Sequence, residues 1–303
     1  MEVLNDNYIN FFNAKFKRMK FGINTFLFRS PFTTSDISIF PTFREWGFDS
    51  VEIAIENATD IDAVAVKKAL DENRLICGSV CAAMGQGRDL RGTEEEQQGA
   101  IAYLKSIMDL MPILECPILV GPLYSMVGRA EAVEEKQYAL QWETVVGHLK
   151  MLAEYAEKTG VQLAIEPLNR YETDFINTAE QAMKMVCDVG SKALLVHLDS
   201  YHMNIEEKDP TQAILLTGSK LGHFHACGSD RGTPGGDQTN WKKIIDALST
   251  IGYDGGIVIE SFTKDVKVIA KAASIWRKFE PSQESIAIKG LEFLKREFSV
   301  KKP

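Results

Sequence analysis

No stretch of the chain approaches the ~20 consecutive apolar residues of a membrane span. The opening Met1-Glu-Val-Leu-Asn-Asp-Asn has no basic segment leading into an apolar core, so neither a transmembrane nor a secretory reading is expected. Basic clusters are scarce: Lys15-Phe-Lys17-Arg18-Met-Lys20 and the tail Lys301-Lys302 read as solvated ends. With a net charge of −8 and an isoelectric point near 5.3, the chain offers no nucleic-acid surface, which needs a basic patch. Cysteine is sparse and odd in number. The five lie mostly in apolar runs, and Cys77 and Cys81 lack the CxxC spacing of zinc or redox motifs, which favours reduced thiols and a cytoplasmic setting. No helix opens on a glycine-rich, lysine-bearing loop that would cradle a phosphate. A Ser/Pro/Gly-rich linker, a short-period repeat and a low-complexity tract are likewise missing.

What is present is an ordinary globular composition, 45% hydrophobic and 25% charged over 303 residues, with apolar runs alternating with helix-period stretches. Strands are expected at Phe21–Phe26, Ser50–Ile55, Leu75–Val80, Pro117–Val120, Val161–Ile165, Leu194–Asp199, Leu221–His225 and Gly256–Glu260. Helices are expected near 35–46, 61–72, 93–111, 134–158, 178–187, 210–217, 240–250, 266–276 and 283–298. Eight strand–helix units without a linker predict a single (β/α)8 TIM barrel. An open doubly wound sheet would want a glycine-rich fingerprint after its first strand, and Asn24-Thr-Phe-Leu-Phe-Arg-Ser has none. Met19-Lys-Phe-Gly-Ile-Asn reads as a natural first strand. Residues 1–18 are therefore expected to be an extension or leader, and 19–303 the catalytic barrel.

The chain is organised around Leu163-Ala-Ile-Glu166-Pro-Leu-Asn-Arg170-Tyr-Glu172. A buried strand runs into a carboxylate, and Pro167 ends the ladder by removing a donor. An unpaired buried charge is costly, so Glu166 needs solvent or a partner. Three later strands repeat the design, ending in Asp199, His225 and Glu260. Barrel active sites sit at the C-terminal ends of the strands, where all four fall. Three carboxylates and one imidazole make a mainly oxygen site suited to Mn²⁺, Mg²⁺ or Co²⁺. Glu172, His202 and Arg231 follow these residues closely enough for a βα loop to turn each back over the metal. His197 and His223 lie two residues before Asp199 and His225, on the same strand face, and are expected to pack in the barrel or to support the ligands. His148, on a helix, is expected to be exposed.

The segments Ile165-Glu166-Pro-Leu-Asn-Arg170-Tyr-Glu172, His197-Leu-Asp199-Ser-Tyr-His202-Met, His223-Phe-His225-Ala-Cys-Gly-Ser-Asp-Arg231-Gly and Val258-Ile-Glu260-Ser-Phe resemble the ketose 3-epimerases of the xylose-isomerase-like barrel superfamily, those acting on D-tagatose, D-psicose (D-allulose) or L-ribulose. The resemblance implies that Glu166, Asp199, His225 and Glu260 bind one divalent metal, with Mn²⁺ foremost and Co²⁺ or Mg²⁺ as alternatives. It implies further that Glu166 and Glu260 double as the catalytic acid/base pair, and that Glu172, His202 and Arg231 hold the sugar's O1 and O2. It implies C3 epimerisation of a free ketose through a cis-enediolate, by a homodimer or homotetramer. Phe28, Phe32, Tyr124 and Met126 are expected to wall the sugar's C4 to C6 end, in loops that lack the Tyr-Trp cluster and the tryptophan of some family members. The preferred ketose stays open. Other readings are an isomerase or dehydratase of the hydroxypyruvate or inosose type, an endonuclease IV-like hydrolase, and a sugar-binding protein without turnover. The hydrolase would need more histidine ligands and a basic face.

Overall fold

The eight apolar runs form parallel strands that close into a barrel in sequence order, with the last strand hydrogen-bonded back to the first. The computed structural model describes residues 20–299, so the expected leader at 1–18 lies outside the described residues. The strands are β1 Lys20–Asn24, β2 Ser50–Ile55, β3 Ile76–Ala82, β4 Ile118–Gly121, β5 Gln162–Ile165, β6 Leu194–Asp199, β7 Leu221–Ala226 and β8 Gly256–Ile259. Side chains fill the barrel on one face of each strand and helices cover the other. Both faces are buried, and this is why the runs are continuously apolar rather than alternating.

Around them lie α1 Phe40–Trp46, α2 Ala63–Glu72, α3 Glu94–Leu114, α4 Glu135–Thr159, α5 Ala179–Val189, α6 Ser200–Glu206, α7 Pro210–Thr217, α8 Trp241–Thr250, α9 Lys267–Ala272 and α10 Gln283–Ser299. Their ends follow local chemistry. Thr93 with Glu96 and Thr178 with Gln181 form capping boxes that satisfy the first free amides of α3 and α5. Gly160 (φ +73°) and Gly190 (φ +71°) end α4 and α5 in the left-handed conformation that a Cβ disfavours.

Several elements depart from the sequence reading. β1 stops at Asn24 rather than Phe26, because the Asn24 side chain accepts the Phe26 amide at 2.7 Å and turns the chain into a 3-10 helix. The helix expected over 35–46 is split into a 3-10 segment, Thr34–Ile39, and α1, with Pro41 in the first turn of the latter. α3 runs through Pro112 to Leu114 instead of ending at Met111. The helix expected over 266–276 is only α9, and Ser274 at φ +56° ends that stretch. α6 was not expected at all.

One buried side chain braces the rim above the strands. Arg91, in the loop after β3, donates to Ser125 Oγ (2.9 Å) and the Arg129 carbonyl (3.0 Å) in the next loop, and to Asp174 Oδ1 (2.5 Å) in the loop after β5. It also reaches Gln141 on α4 at 3.2 Å. The planar guanidinium has enough donors to tie three loops together at once.

Candidate functional site

The strand register brings the four strand-end residues together. Asp199 and His225 pair directly across β6 and β7, while Glu166 and Glu260 each stand one residue beyond their strands. One ligand atom from each of Glu166, Asp199, His225 and Glu260 lies within 4.8 Å of all the others, and all four residues are buried. His225 Nδ1 faces inward, 3.2 Å from Glu260 Oε2, 3.9 Å from Asp199 Oδ2 and 4.0 Å from Glu166 Oε1. Asp199 is aimed by its neighbour helix. Its Oδ1 caps α6 by accepting the Tyr201 amide at 2.7 Å, which leaves Oδ2 turned to the cluster.

The residues fit a divalent cation. Glu166 Oε1 and His225 Nδ1 are buried, point at the same place, and have no hydrogen-bond partner among the described residues. Such orphaned atoms are rare in a folded interior unless something else satisfies them. The donor set of three carboxylates and one imidazole suits a hard or borderline ion. Electrostatics agree. Burial, followed by the charge of Glu260, pushes the Glu166 carboxyl well above its usual range. Burial also raises Asp199, although Arg231 opposes it. Burial works against a charged His225, but the carboxylates of Glu52 and Glu260 outweigh it and raise its pKa well above normal. These shifts share one origin, negative charge crowded into a buried site, and a cation there would relieve it.

The three flanking residues arrive at the same place. Arg231 sits in the turn Gly228–Gly232 at φ +67°, a left-handed conformation that is unfavourable for a side chain with a Cβ. Its amide donates to the Gly228 carbonyl at 2.8 Å, and its carbonyl accepts the Phe262 amide at 3.1 Å, tying this loop to the end of β8. The guanidinium spans Asp199 Oδ2 and Glu260 Oε2, the latter at 2.8 Å, between the rings of Phe262 (4.4 Å) and Tyr201 (4.7 Å). The surface pairing that a loop arginine invites, with Asp230 or Asp237, is not what it makes. His202 is buried at 2% exposure, with Nε2 3.8 Å from Glu166 Oε1. Burial, with help from Arg231 and His225, keeps it well below the usual histidine pKa. Glu172 accepts from Asn169 Nδ2 at 2.8 Å and feels the charges of Arg231, Glu260 and Asp199; burial is the main reason its pKa is raised.

Of the expected apolar wall, Phe28 packs on Phe43 and on the half-buried Trp46, and Phe32 stacks on Phe40, with the four phenylalanines in the buried core. Tyr124 is fully buried, and its hydroxyl donates to the carbonyls of Glu166 (2.8 Å) and Ile176 (3.1 Å). Met126 is half-buried. The rings beside Arg231 are those of Phe262 and Tyr201. His148 is half-buried rather than exposed, with Nε2 2.9 Å from Gln97 Oε1.

Glu52, Asn24 and Asn169 also reach the site, without a motif in the sequence to mark them. Glu52, fully buried on β2, accepts from His225 Nε2 at 2.7 Å and Ser79 Oγ at 2.5 Å, and lies 2.8 Å from His223 Nε2. Asn24 donates to Glu52 Oε1 at 2.7 Å and to Glu260 Oε1 at 3.1 Å. Burial opposes charge on Glu52, but His225 and His223 overcome it and hold the carboxyl well below its usual pKa. The only signal in the sequence was a lone acid inside the apolar run Ser50-Val-Glu-Ile-Ala-Ile55. His197 and His223 are fully buried against His225, with ring centroids 4.1 Å and 5.0 Å from it.

Residues 40–297 match the family model described as the xylose isomerase-like TIM barrel. Over 286 residues the chain is 34% identical to a probable ketose 3-epimerase of Synechocystis sp., an alignment covering 93% of this chain and 97% of that one. It is 31% identical over 240 residues to a D-psicose 3-epimerase of Agrobacterium fabrum, covering 76% of this chain and 81% of the relative. Among solved structures, an L-ribulose 3-epimerase superposes with a TM-score of 0.87 at 27% identity, covering 93% of this chain and 95% of the other. A D-allulose 3-epimerase from Methylomonas sp. in complex with D-allulose gives 0.86 at 26% identity, covering 93% and 98%. Together with the closed eight-stranded barrel and the acidic cluster at its C-terminal rim, these likenesses establish that the chain belongs to the xylose isomerase-like TIM barrel family, among its ketose 3-epimerases, enzymes of the isomerase class.

Proposed function

We propose that the chain inverts C3 of a free ketose, using Glu166 and Glu260 as a two-sided acid/base pair. The observation that carries this reading is the convergence of these two carboxylates, from strand ends three apart around the ring, on one buried cluster with Asp199 and His225. Glu166, Asp199, His225 and Glu260 would hold one divalent ion, Mn²⁺ first, with Co²⁺ or Mg²⁺ able to replace it. Bound there, the ion would act as a Lewis acid, stabilising negative charge on the substrate's oxygens.

The chain's own residues do the rest. One glutamate takes the C3 proton, leaving a planar cis-enediolate, and the other returns a proton from the opposite face. The two must differ in protonation when substrate binds, and the burial that raises Glu166 favours a protonated form for one of them. Arg231 and His202 donate to O1 and O2 of the sugar, where charge develops, and Glu172 accepts from a hydroxyl there. The loops bearing Phe28, Phe32, Tyr124 and Met126 shape the end of the pocket that takes C4 to C6. Phe28 and Phe32 are braced there by Phe43 and Phe40, and Phe262 and Tyr201 are the rings over Arg231.

The substrate reading covers D-psicose/D-fructose, D-tagatose and L-ribulose. Relatives named for D-psicose and for L-ribulose at comparable identity support that range without choosing within it. A cytoplasmic setting fits the five free cysteines, four of them buried, and the homodimer or homotetramer rests on the family resemblance alone. Product analysis with a panel of ketoses and Mn²⁺ tests the reading. Interconversion of C3 epimers with the carbonyl kept at C2 supports it. Aldose formation or dehydration would favour the isomerase or dehydratase alternative.

A further inference from the structure

Beneath the four strand-end residues, one carboxylate makes contacts that the proposed chemistry does not use. Glu52 projects from the middle of β2 into the barrel and is 0% exposed. Oε1 takes two donors, His225 Nε2 and Asn24 Nδ2, both at 2.7 Å. Oε2 accepts from Ser79 Oγ at 2.5 Å and lies 2.8 Å from His223 Nε2. An ionised carboxylate only accepts, so His225 must carry a proton on Nε2 and present Nδ1 to the cluster. The Asn24 side chain matters equally: the same Nδ2 that holds Glu52 also donates to Glu260 Oε1 at 3.1 Å, leaving Oε2 of Glu260 to face His225 Nδ1 and Arg231.

We propose that Glu52 is a positioning residue of the metal centre, fixing the His225 tautomer directly and the Glu260 rotamer through Asn24. It would touch neither metal nor sugar. The inference rests on the reading of Glu166, Asp199, His225 and Glu260 as metal ligands and extends it by a layer. Outer-shell carboxylates behind a ligating histidine orient the ring and raise its basicity, and their loss typically weakens metal binding about 10–100-fold. β2 contributes no residue to the four-ligand cluster, so a purely structural account of Glu52 would predict an effect on folding alone.

The test compares wild-type protein with Glu52→Gln, Glu52→Asp and Asn24→Ala, measuring Mn²⁺ affinity by titration calorimetry and the visible absorption of the Co²⁺ form, alongside thermal melting. Gln is isosteric, and its amide group can face Ser79 and His223 while its oxygen still accepts from His225. The expected result is a Glu52→Gln protein that melts like the wild type, binds Mn²⁺ about 10–100-fold more weakly and has an altered Co²⁺ spectrum. Glu52→Asp, which keeps the charge, should recover part of the affinity. Unchanged affinity and spectrum in a folded Glu52→Gln protein would overturn the proposal. If that variant does not fold, Asn24→Ala decides: weaker Mn²⁺ binding supports the link to Glu260, and wild-type binding refutes it. A wild-type protein that binds no divalent ion would instead sink the underlying reading of the four ligands.

Discussion

The backbone amide of Asn169 donates to Nδ1 of His202 at 3.1 Å, so the neutral ring carries its proton on Nε2, the nitrogen that faces Glu166. The Asn169 side chain adds a second contact to Nδ1 at 3.0 Å and donates to Glu172 Oε1 at 2.8 Å. One loop residue therefore orients two of the three groups proposed to hold the sugar. Asn169→Ala is expected to lower kcat/KM about 10–100-fold, since small misplacements of positioning groups carry costs of that order. Mn²⁺ affinity should stay at the wild-type value. Steady-state kinetics beside a metal titration check both halves.

Arg231 is tested by a substitution that keeps its charge. Its planar fork spans Asp199 and Glu260 while stacked between Tyr201 and Phe262, and a lysine ammonium can neither bridge nor stack in that way. Arg231→Lys should lower kcat about 10²–10³-fold, the range seen when one donor to a developing oxyanion is lost. Turnover numbers with saturating ketose and metal give the answer. A variant with near-normal kcat and only a raised KM would assign Arg231 to ground-state binding instead.

Metal removal and pH form a linked pair. A ligand bound only by the folded state stabilises it by about 2.7 kcal/mol at a hundredfold excess over its dissociation constant. Thorough chelation is therefore expected to abolish turnover and lower the melting temperature, and Mn²⁺ to restore both. Glu166 and Asp199 have raised pKa values in the metal-free fold, chiefly from burial. For these two the sign is fixed: their contribution to metal-free stability is full below the ordinary carboxylate pKa and is lost as pH rises through the raised values. A cation competes with those protons, so apparent Mn²⁺ affinity should fall as pH drops through the same raised range. Calorimetric titrations at stepped pH measure this directly. An affinity independent of pH would contradict it.

Much of the site was legible because parallel barrel strands advertise themselves. Apolar runs ending in Glu166, Asp199, His225 and Glu260 gave both the architecture and the rim on which these residues meet. What stayed hidden depended on facing partners rather than on order along the chain. Glu52 is a single acid inside an apolar strand, and nothing in Ser50–Ile55 says that His225, 173 positions on, sits opposite it. Asn24 and Asn169 have ordinary local roles, their side chains capping the amides of Phe26 and Tyr171, and nothing along the chain shows that they also reach into the site. α6, with seven residues, is too short for its period to stand out. The aromatic residues after β1 and β4 suggest a wall by composition, and composition alone does not say how a ring such as Phe32, stacked on Phe40, stands toward the pocket.

The most direct test of the two-glutamate claim is proton NMR of an interconverting ketose pair in D₂O, sampled at low conversion and after removal of Mn²⁺. With carboxylates on opposite faces, the newly formed C3 epimer should carry deuterium at C3 while the recovered substrate still carries protium. Glu166→Gln and Glu260→Gln should each lose about 10²–10⁴-fold in that exchange. Deuterium entering recovered substrate as fast as product, or an inverted product that retains its original C3 hydrogen, would contradict the account.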